Sequence, residues 1–332
     1  MILYNLTYTV NSKILITGFN GELGSKTLDF LAQKNYSIIG LDLNKKLSQS
    51  DNIELIQGSI SDKDLIQSIF DNNIISEVYH FAALLSQTAA KDPKLATEIN
   101  ENSSINLINC SAAHGVKNNI KVKFFFPSSI AVYGPRKIHN ASEFDIIKPT
   151  TIYGINKLAV EQYGSKKHAE FDSKNYGIDF RSIRFPGVIS SDSIPTGGTT
   201  DYAPQMIHAA TINKQYICKL SKETLLPFIS IEKTVSSIHQ LMGMDTINST
   251  LRVFNIQEAS FSVEDLYKAI QHKLGEFKIE YAIDNKFQSV ADTWPSSLNC
   301  DEAKKKWKFS CSENFEKFIK KIINEMIKNE KN

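Results

Sequence analysis

The sequence predicts an α/β fold in which helices cover both faces of a doubly wound parallel sheet. Short runs of apolar, β-branched and aromatic residues alternate with longer segments of helical spacing through the first half of the chain. These runs are apolar throughout, which is typical of strands buried on both faces. A glycine-rich turn follows the first run and opens the first helical segment. Right-handed crossovers between the strands then give the doubly wound arrangement.

The elements of the first half follow from this pattern in chain order. The predicted strands are 13–17, 37–43, 53–58, 76–83, 121–129 and 178–187. The predicted helices are 22–34, one capped by Asp62 that ends at Phe70, a long one at about 94–114, and one at about 153–175. Beyond residue 187 the alternation is lost, after a loop rich in Ser, Thr, Gly and Pro. We therefore expect residues 1–185 to form mainly the sheet domain and 186–332 mainly a smaller lobe, with some segments returning to the main sheet.

Composition argues against several functional classes. The chain is 42% hydrophobic and 22% charged with a net charge of +2, as in ordinary soluble proteins. It has no basic stripe of the kind that indicates binding to nucleic acid or to a membrane surface. The first residues lack the cationic start and apolar core of a secretory signal, and no apolar stretch is long enough to span a bilayer, so we expect a cytoplasmic protein. The cysteines are scattered and the histidines form no H-E-x-x-H pattern, so no metal site is expected.

The glycine-rich turn has the spacing of a phosphate-binding loop. Three glycines in G-x-x-G-x-x-G let the backbone turn tightly, approach a pyrophosphate and bring helix close to strand. The amides at the start of the following helix then face the anion. The residues expected to contact a dinucleotide in this segment are Gly18, Asn20, Gly21, Glu22, Leu23 and Gly24.

Asp42 ends the second predicted strand, downstream of this loop. A carboxylate at this position can accept hydrogen bonds from both hydroxyls of the adenosine ribose. A 2′-phosphate would meet like charge there, so NAD is favoured over NADP.

Tyr153 and Lys157 form a Y-x-x-x-K pair at the start of a predicted helix. Their i, i+4 spacing places both side chains on one face. A free tyrosine has a pKa of about 10, and a nearby ammonium favours the ionised phenol, which can take a proton from an alcohol as hydride leaves. The pair alone is a weak signal, because the pattern occurs by chance on many surface helices.

Ser129 supplies a third group for the same chemistry. It stands in P-S-S-I-A-V-Y-G at the end of the fifth strand, the edge at which doubly wound sheets bind their ligands. A serine at this position can hydrogen-bond an alcohol and the carbonyl that develops from it. The glycine loop, Asp42, Ser129 and the Tyr153–Lys157 pair occur in that order along the chain, which makes a chance match remote.

On these motifs the sequence resembles the extended short-chain dehydrogenase/reductase family. The resemblance implies a Rossmann fold, bound NAD(H), and a catalytic set of Ser129, Tyr153 and Lys157. Two departures stand out: Asn100 opens N-E-N-S where the family has N-x-x-G-T, and Ser59 stands where an acid is usual near the adenine. The further cofactor contacts implied are Ser59, Ile60, Ala82 in the H-x-A-A segment, Asn100, Tyr153, Lys157 and Ile183.

Three segments of the second half resemble the short-chain L-threonine 3-dehydrogenases, a group within that family. They are R-F-P-G-V-I-S from residue 184, G-G-T-T-D-Y-A from residue 197, and A-D-T-W-P-S-S-L from residue 291. The resemblance implies oxidation of the threonine β-hydroxyl, hydride passing to NAD⁺, with 2-amino-3-oxobutanoate as product. The expected substrate contacts are Ser86, Ser129, Tyr153, Thr199, Thr200, Asp201, which serves the ammonium or holds the loop, and Trp294 as an apolar lid.

Two other functions remain open at this point. A nucleotide-sugar epimerase or dehydratase shares the fold and the catalytic set, although few arginines follow Arg184 to hold a nucleotide sugar. A non-catalytic NAD-binding sensor is the second. We also expect a homodimer, and two positions are open for Leu107, Ile108, Leu158 and Val160: the dimer interface, or the inside of the chain where the same helices cover the sheet. L-threonine is the expected small-molecule partner, and no nucleic acid or membrane partner is expected.

Overall fold

The computed structural model describes residues 12–44, 50–135, 138–192, 194–195, 198–247, 249–310 and 314–330. The first eleven residues, on which part of the cytoplasmic expectation rests, lie outside these ranges, as do Gly197 of the G-G-T-T segment and Cys311. The strands are β1 Lys13–Thr17, β2 Ile38–Asp42, β3 Ile53–Gln57, β4 Ile75–His80, β5 Lys121–Ser129, β6 Gly177–Phe185, β7 Gly187–Ile189, β8 Tyr216–Cys218, β9 Leu225–Ser230, β10 Val253–Asn255, β11 Ala259–Ser262 and β12 Ile279–Tyr281.

The helices alternate with these strands in the first half, as the apolar pattern predicts. They are α1 Glu22–Ala32, α2 Lys63–Asn72, α3 Ser86–Lys91, α4 Pro93–Ala96, α5 Ser103–Lys117, α6 Ile152–Ala169, α7 Tyr202–Thr211, α8 Ile231–Met242, α9 Val263–Leu274, α10 Asn285–Ala291, α11 Asp301–Trp307 and α12 Phe315–Glu330. A π-helical turn at Thr97–Asn102 joins α4 to α5, and a 3₁₀ turn at Ile130–Val132 follows β5.

The central sheet confirms the predicted fold class. Among the described residues it has seven strands in the order β10-β6-β5-β4-β1-β2-β3. The registers run parallel from β3 through β2 and β1 to β4 and β5, and again between β6 and β10. The strand order reverses at β1, so the sheet is doubly wound.

Two predicted helices differ from the structure. The helix expected at about 94–114 is interrupted by the π-helical turn, where Ser103 Oγ donates to the carbonyl of Glu98 at 2.7 Å. The helix expected to reach residue 175 ends at Ala169, and the chain then turns with Phe171 N–H donating to the carbonyl of His168 at 2.9 Å. Polar side chains and turn hydrogen bonds set both boundaries, and helical periodicity does not register them.

The chain divides into two compact units. The first comprises residues up to Ala83 together with Glu98–Phe126 and Val160–Arg181. Its core stacks Phe124 and Phe126 against Phe180, with ring centroids 6.0 and 6.2 Å apart. Burial of such large aromatic surfaces supplies much of the hydrophobic stabilisation of this unit.

The second unit comprises Leu84–Thr97, Pro127–Ala159 and the chain from Ser182 onward. Phe228 of β9 stacks on Phe261 of β11 with centroids 4.4 Å apart, and Phe318 of α12 packs on the same ring. β9 lies between β11 and β7 in a three-stranded sheet.

The residues expected at a dimer interface lie inside the single chain. Leu107, Ile108 and Val160 are fully buried within it, and Leu158 is half-buried against the apolar core of the second unit. For Leu107, Ile108 and Val160 the interface alternative is therefore wrong, and the internal alternative holds. Their apolar faces cover the protein's own core.

Candidate active site

The glycine loop has the backbone geometry that close approach to a phosphate requires. Gly18 has φ +72°, and a Cβ there would lie 2.5 Å from the amide nitrogen of Ala82. A Cβ on Gly24 would overlap the carbonyl oxygen of Gly18. Gly21 is the N-cap of α1 and no side chain caps this helix. Gly18 and Gly24 are therefore positions that only glycine fills, and the start of α1 presents its amides without a side-chain cap.

Asp42 is held in place by the loop and by its own turn. Its Oδ2 accepts the N–H of Asn20 at 3.0 Å, and its Oδ1 accepts the N–H of Asn44 at 3.0 Å. The Asn20 side chain also donates to the carbonyl of Asn44 at 2.9 Å. A carboxylate offers about four acceptor positions, so Asp42 retains capacity for the two ribose hydroxyls. These residues fit the adenosine half of NAD.

Ser59 and Ile60 lie beside Asp42, at the neighbouring strand end. The N–H of Gly58, which follows β3, donates to the carbonyl of Asp42 at 2.8 Å. Ser59 Oγ hydrogen-bonds Ser61 Oγ at 2.7 Å, and Ile60 is buried. The turn expected at the adenine is thus ordered by its own hydroxyl groups.

A chain of buried hydrogen bonds joins the glycine loop to Asn100. Thr17, which precedes Gly18, lies 2.6 Å from His80 Nδ1, and His80 Nε2 lies 2.8 Å from Ser104 Oγ. Ser104 Oγ donates to the carbonyl of Asn100 at 2.8 Å. Because that hydroxyl has a single proton, it accepts from His80, which assigns the ring proton to Nε2 and makes Thr17 the donor to Nδ1.

This chain of hydrogen bonds holds the backbone of Asn100 within the π-helical turn. The residue is 1% exposed, so its backbone is fixed from inside the first unit. Sequence reasoning assigned no role in the site to His80, Thr17 or Ser104. The H-x-A-A motif was an available signal for His80, whereas hydroxyl groups inside an apolar pattern give no such signal.

Ser129, Tyr153 and Lys157 come together in the second unit. The side chain of Ser129 hydrogen-bonds the phenol of Tyr153 and also caps the 3₁₀ turn, accepting the N–H of Ala131 at 3.2 Å. The Lys157 ammonium lies 5.5 Å from the centroid of the Tyr153 ring. It is buried and donates to the carbonyl of Pro127 at 2.7 Å. The i, i+4 spacing on α6 therefore places phenol, hydroxyl and ammonium in one cluster.

Burial dominates the ionisation of Tyr153. It raises the pKa of this phenol from 10.0 to about 12, and the hydrogen bond from Ser129 acts in the opposite direction. The protein alone therefore holds Tyr153 protonated at neutral pH.

Ile183, expected at the cofactor, is fully buried in β6 opposite Phe254 of β10.

The turn at 198–201 and the start of α3 are brought together in the second unit. The side chain of Gln87, next to Ser86, donates to the carbonyl of Gly198 at 3.3 Å. Asp201 accepts the Gly198 N–H at 2.7 Å, so its carboxylate holds this loop. Thr199 is buried, and Thr200 packs on Gly187, where an added Cβ would lie 2.8 Å from the Thr200 Cβ. Gln87 was missed because neither its type nor its spacing distinguishes it from a surface residue.

Trp294 lies in the apolar core of the second unit. It is 6% exposed, and its Nε1 is buried with no hydrogen-bond partner among the residues that the structure describes. The expected lid position therefore corresponds to a core position in this structure. Leu298, which follows in W-P-S-S-L, bridges to Ala141.

Two further findings concern metals and membranes. In the described part of the chain, no group of three or more His, Cys, Asp and Glu side chains is placed to hold a metal ion. No helix within the same residues has both the length and the hydropathy needed to cross a bilayer.

The parallel sheet, the glycine loop at the end of β1 and the carboxylate at the end of β2 define a dinucleotide-binding protein of the Rossmann class. The chain belongs to the NAD-dependent epimerase/dehydratase family, whose model matches residues 14–256. NAD is therefore its cofactor, and both the family resemblance and the NAD prediction are confirmed.

Several proteins that are similar to this chain in sequence or structure are named threonine dehydrogenases. The mitochondrial L-threonine 3-dehydrogenase of Bos taurus is 32% identical over 300 residues, which is 89% of this chain and 77% of that protein. The structure of L-threonine dehydrogenase from Clostridium difficile is 30% identical with a TM-score of 0.85, covering 96% of this chain and 98% of that one. A monomeric L-threonine 3-dehydrogenase of metagenomic origin is 33% identical with a TM-score of 0.84, covering 95% and 99%.

Proposed function

We propose that this protein oxidises L-threonine at its β-hydroxyl with NAD⁺ to give 2-amino-3-oxobutanoate. The observation that carries the proposal is the cluster of Ser129, Tyr153 and Lys157, in which one hydroxyl bonds the phenol and an ammonium lies beside its ring. These are the groups needed to remove a proton from an alcohol and to hold the oxygen from which it leaves. Relatives named for threonine oxidation cover most of the chain, which supports the choice of alcohol.

The chemistry separates into a hydride and a proton. NAD⁺, when bound, accepts the hydride that leaves the β-carbon. Tyr153 accepts the hydroxyl proton, and Ser129 supplies a hydrogen-bonding group for the same oxygen as it becomes a carbonyl. Lys157 is anchored by the carbonyl of Pro127 at 2.7 Å, so its positive charge stays beside the phenol and favours the ionised form.

The proton step needs a change in Tyr153. A phenol with a pKa of about 12 does not accept a proton at neutral pH. If NAD⁺ were bound with its positive ring near Tyr153, that charge would favour the ionised phenol and lower its pKa. Until then Tyr153 stays protonated and does not accept the substrate proton.

The substrate contacts are proposed from the turn at 198–201 and the start of α3. Thr200 and Ser86 are half-exposed hydroxyl groups on segments joined by the Gln87–Gly198 hydrogen bond. Hydroxyls and backbone amides suit a carboxylate. The polarity of these groups suits a small zwitterion.

A substrate panel tests the proposal. The protein is mixed with NAD⁺ and L-threonine, a UDP-sugar, or neither, and NADH absorbance and sugar products are followed. NADH formation only with L-threonine supports the proposal, and conversion of the UDP-sugar without threonine oxidation would replace it with the epimerase function. NAD binding with no turnover on either compound would favour the sensor.

A further inference from the structure

Gly154 directly follows Tyr153, and its missing side chain makes room for the turn that carries Ser129. A Cβ built on Gly154 would overlap the carbonyl oxygen of Ala131 and would lie 3.0 Å from the Cβ of Pro149. Ala131 belongs to the 3₁₀ turn that Ser129 caps. At residue 154 the first turn of α6 therefore packs directly on the backbone of the Ser129 turn.

A buried polar network holds the residue that directly follows the Ser129 turn. Tyr133 follows the turn, is fully buried, and accepts hydrogen bonds from Arg184 at 3.1 Å and from Asn255 Nδ2 at 2.7 Å. The Asn255 side chain also donates to the carbonyl of Ala141 at 3.0 Å. Buried networks of this kind resist displacement because every broken bond leaves a polar group unsatisfied.

The chain beyond Tyr133 is fixed as well. Gly134 has φ +82°, and a Cβ on it would overlap the carbonyl oxygen of Lys148. The N–H of Lys148 donates to the carbonyl of Tyr133 at 3.1 Å. The segment that follows the Ser129 turn is therefore held by its backbone at Tyr133 and Gly134.

α6 is anchored on its own side of this contact. The N–H of Gly154 donates to Thr151 Oγ1 at 3.1 Å, which caps the helix. Lys157 is bonded to the carbonyl of Pro127, two residues before Ser129. An added methyl group at residue 154 would thus press two fixed segments apart at the place where Tyr153 meets Ser129.

We propose that Gly154 is a positioning residue that sets the approach of Ser129 to Tyr153. The inference rests on the proposed function, since the role of Tyr153 as proton acceptor gives this approach its consequence. With Ser129 displaced, the opposing effect of its hydrogen bond is lost and the pKa of Tyr153 rises further. The proton then leaves the substrate less readily at a given pH.

The test compares Gly154→Ala with Gly164→Ala on the same helix. A Cβ on Gly164 would overlap the ring of Phe180, in the aromatic core of the first unit, so this variant controls for a packing defect. We expect Gly154→Ala to lower kcat at least about tenfold, with the KM for NAD⁺ within about twofold, and to move the pH–rate profile to higher pH. Gly164→Ala should lose stability and keep its pH profile.

A double-mutant cycle shows whether the effect acts through Ser129. In a Ser129→Ala background, Gly154→Ala should add little to the loss of kcat, because the contact it disturbs is already absent. Full additivity would overturn the proposal. So would a Gly154→Ala protein that matches Gly164→Ala in kcat and pH profile, or one that fails to fold where Gly164→Ala folds.

A substrate-independent measurement separates this proposal from the proposed function. The ¹³C resonance of the Tyr153 phenolic carbon, assigned by its absence in Tyr153→Phe, reports the hydrogen bond from Ser129 at neutral pH. It should shift in Gly154→Ala and stay unchanged in Gly164→Ala. An unchanged resonance in Gly154→Ala overturns the positioning role, whatever substrate the protein oxidises.

Discussion

Asp42 shows how hydrogen bonds orient a carboxylate that we propose binds the adenosine ribose. Two backbone N–H groups, from Asn20 and Asn44, already hold its two oxygens at 3.0 Å. The side chain is therefore oriented before the cofactor arrives. An oriented acceptor loses little conformational entropy when it binds the ribose, which favours affinity.

Substitution of Asp42 should weaken NAD⁺ binding and relax cofactor choice. Asp42→Asn keeps the shape and removes the charge, so we expect the Kd for NAD⁺ to rise about tenfold, the equivalent of about 1.4 kcal/mol. The preference over NADP⁺ should shrink, because the repulsion of a 2′-phosphate is lost. Calorimetry with both cofactors measures this. Glu54→Gln, which removes an exposed carboxylate from the adjacent strand β3, is the control and should leave both affinities unchanged; an equal loss in both variants would contradict the assignment.

Tyr153 gives a prediction for pH dependence. Its pKa is raised to about 12 by burial, so the phenol is protonated in the protein alone. Proton acceptance requires the ionised form, so kcat/KM for the alcohol should rise with pH. Ser129 lowers this pKa, so Ser129→Ala should move the rise to higher pH. A profile unchanged by Ser129→Ala would contradict the role given to that hydrogen bond.

At the scale of the element, the π-helical turn is tied to the glycine loop by the chain of Thr17, His80, Ser104 and Asn100. Each member is within hydrogen-bond distance of the next and the chain is buried. π-Helical turns interrupt the regular hydrogen-bond pattern of an α-helix, which costs stability, and they are frequent at functional sites. The internal hydrogen bonds offset that cost here.

Ser104→Ala tests the chain against a matched serine on α5. It removes the partner of His80 Nε2 and leaves that donor buried, so we expect the free energy of unfolding to fall by about 2–3 kcal/mol. Ser111 is equally buried and donates to the carbonyl of Leu107 at 2.8 Å, and within the described part of the chain it bonds no histidine. Ser111→Ala should cost about 1 kcal/mol or less in denaturant unfolding. Equal losses would show that the link to His80 contributes nothing.

The sequence predicted some elements closely and others poorly, for identifiable reasons. The bounds of β1 and β5 match the predicted 13–17 and 121–129, because apolar runs bounded by polar residues mark buried strands. The π-helical turn was not predicted, since Ser103 and Ser104 act through hydrogen bonds that periodicity does not register. Gly154 was visible in the Y-G-I-N-K motif, but the reason for glycine required the position of the Ala131 carbonyl.

At the scale of the whole molecule, an apolar helix face does not identify what covers it. Leu107, Ile108 and Val160 have the spacing of an interface, and the structure buries them in the chain's own core. The homodimer expectation is thus left without its predicted interface, and one relative at 33% identity is described as monomeric. Trp294 shows the same ambiguity, since a large aromatic residue suits a lid and a core equally well.

Buried tyrosines should make the fold sensitive to alkali. Burial raises the pKa of Tyr133 from 10.0 to about 12, so the unfolded chain releases this proton at lower pH than the folded protein does. Stability contributed by the neutral phenol is therefore present below pH 10 and is lost as the pH rises toward 12, by up to about 3 kcal/mol. Tyr133→Phe should be less stable than the unmodified protein at neutral pH, because the hydrogen bonds of the phenol are gone. Between pH 10 and 12, however, this variant should lose less stability than the unmodified protein does.

Urea unfolding across this pH range measures the effect, with Tyr163→Phe as the control. Tyr163 donates to Asn109 Oδ1 at 2.6 Å in a solvent-exposed hydrogen bond, so Tyr163→Phe removes one phenol without opening a buried site. If the stability of Tyr133→Phe fell as steeply as that of the unmodified protein, burial of this phenol would not be the cause.

We propose that this protein removes hydride from the β-carbon of threonine. The most direct measurement uses L-threonine deuterated at that carbon, with NAD⁺, and mass spectrometry of the reduced cofactor. We expect each molecule of NADH formed to carry one deuterium, and we expect Tyr153→Phe to bind NAD⁺ but form no NADH. Reduced cofactor without deuterium, or no reduction with threonine under conditions where NAD⁺ binds, would contradict it.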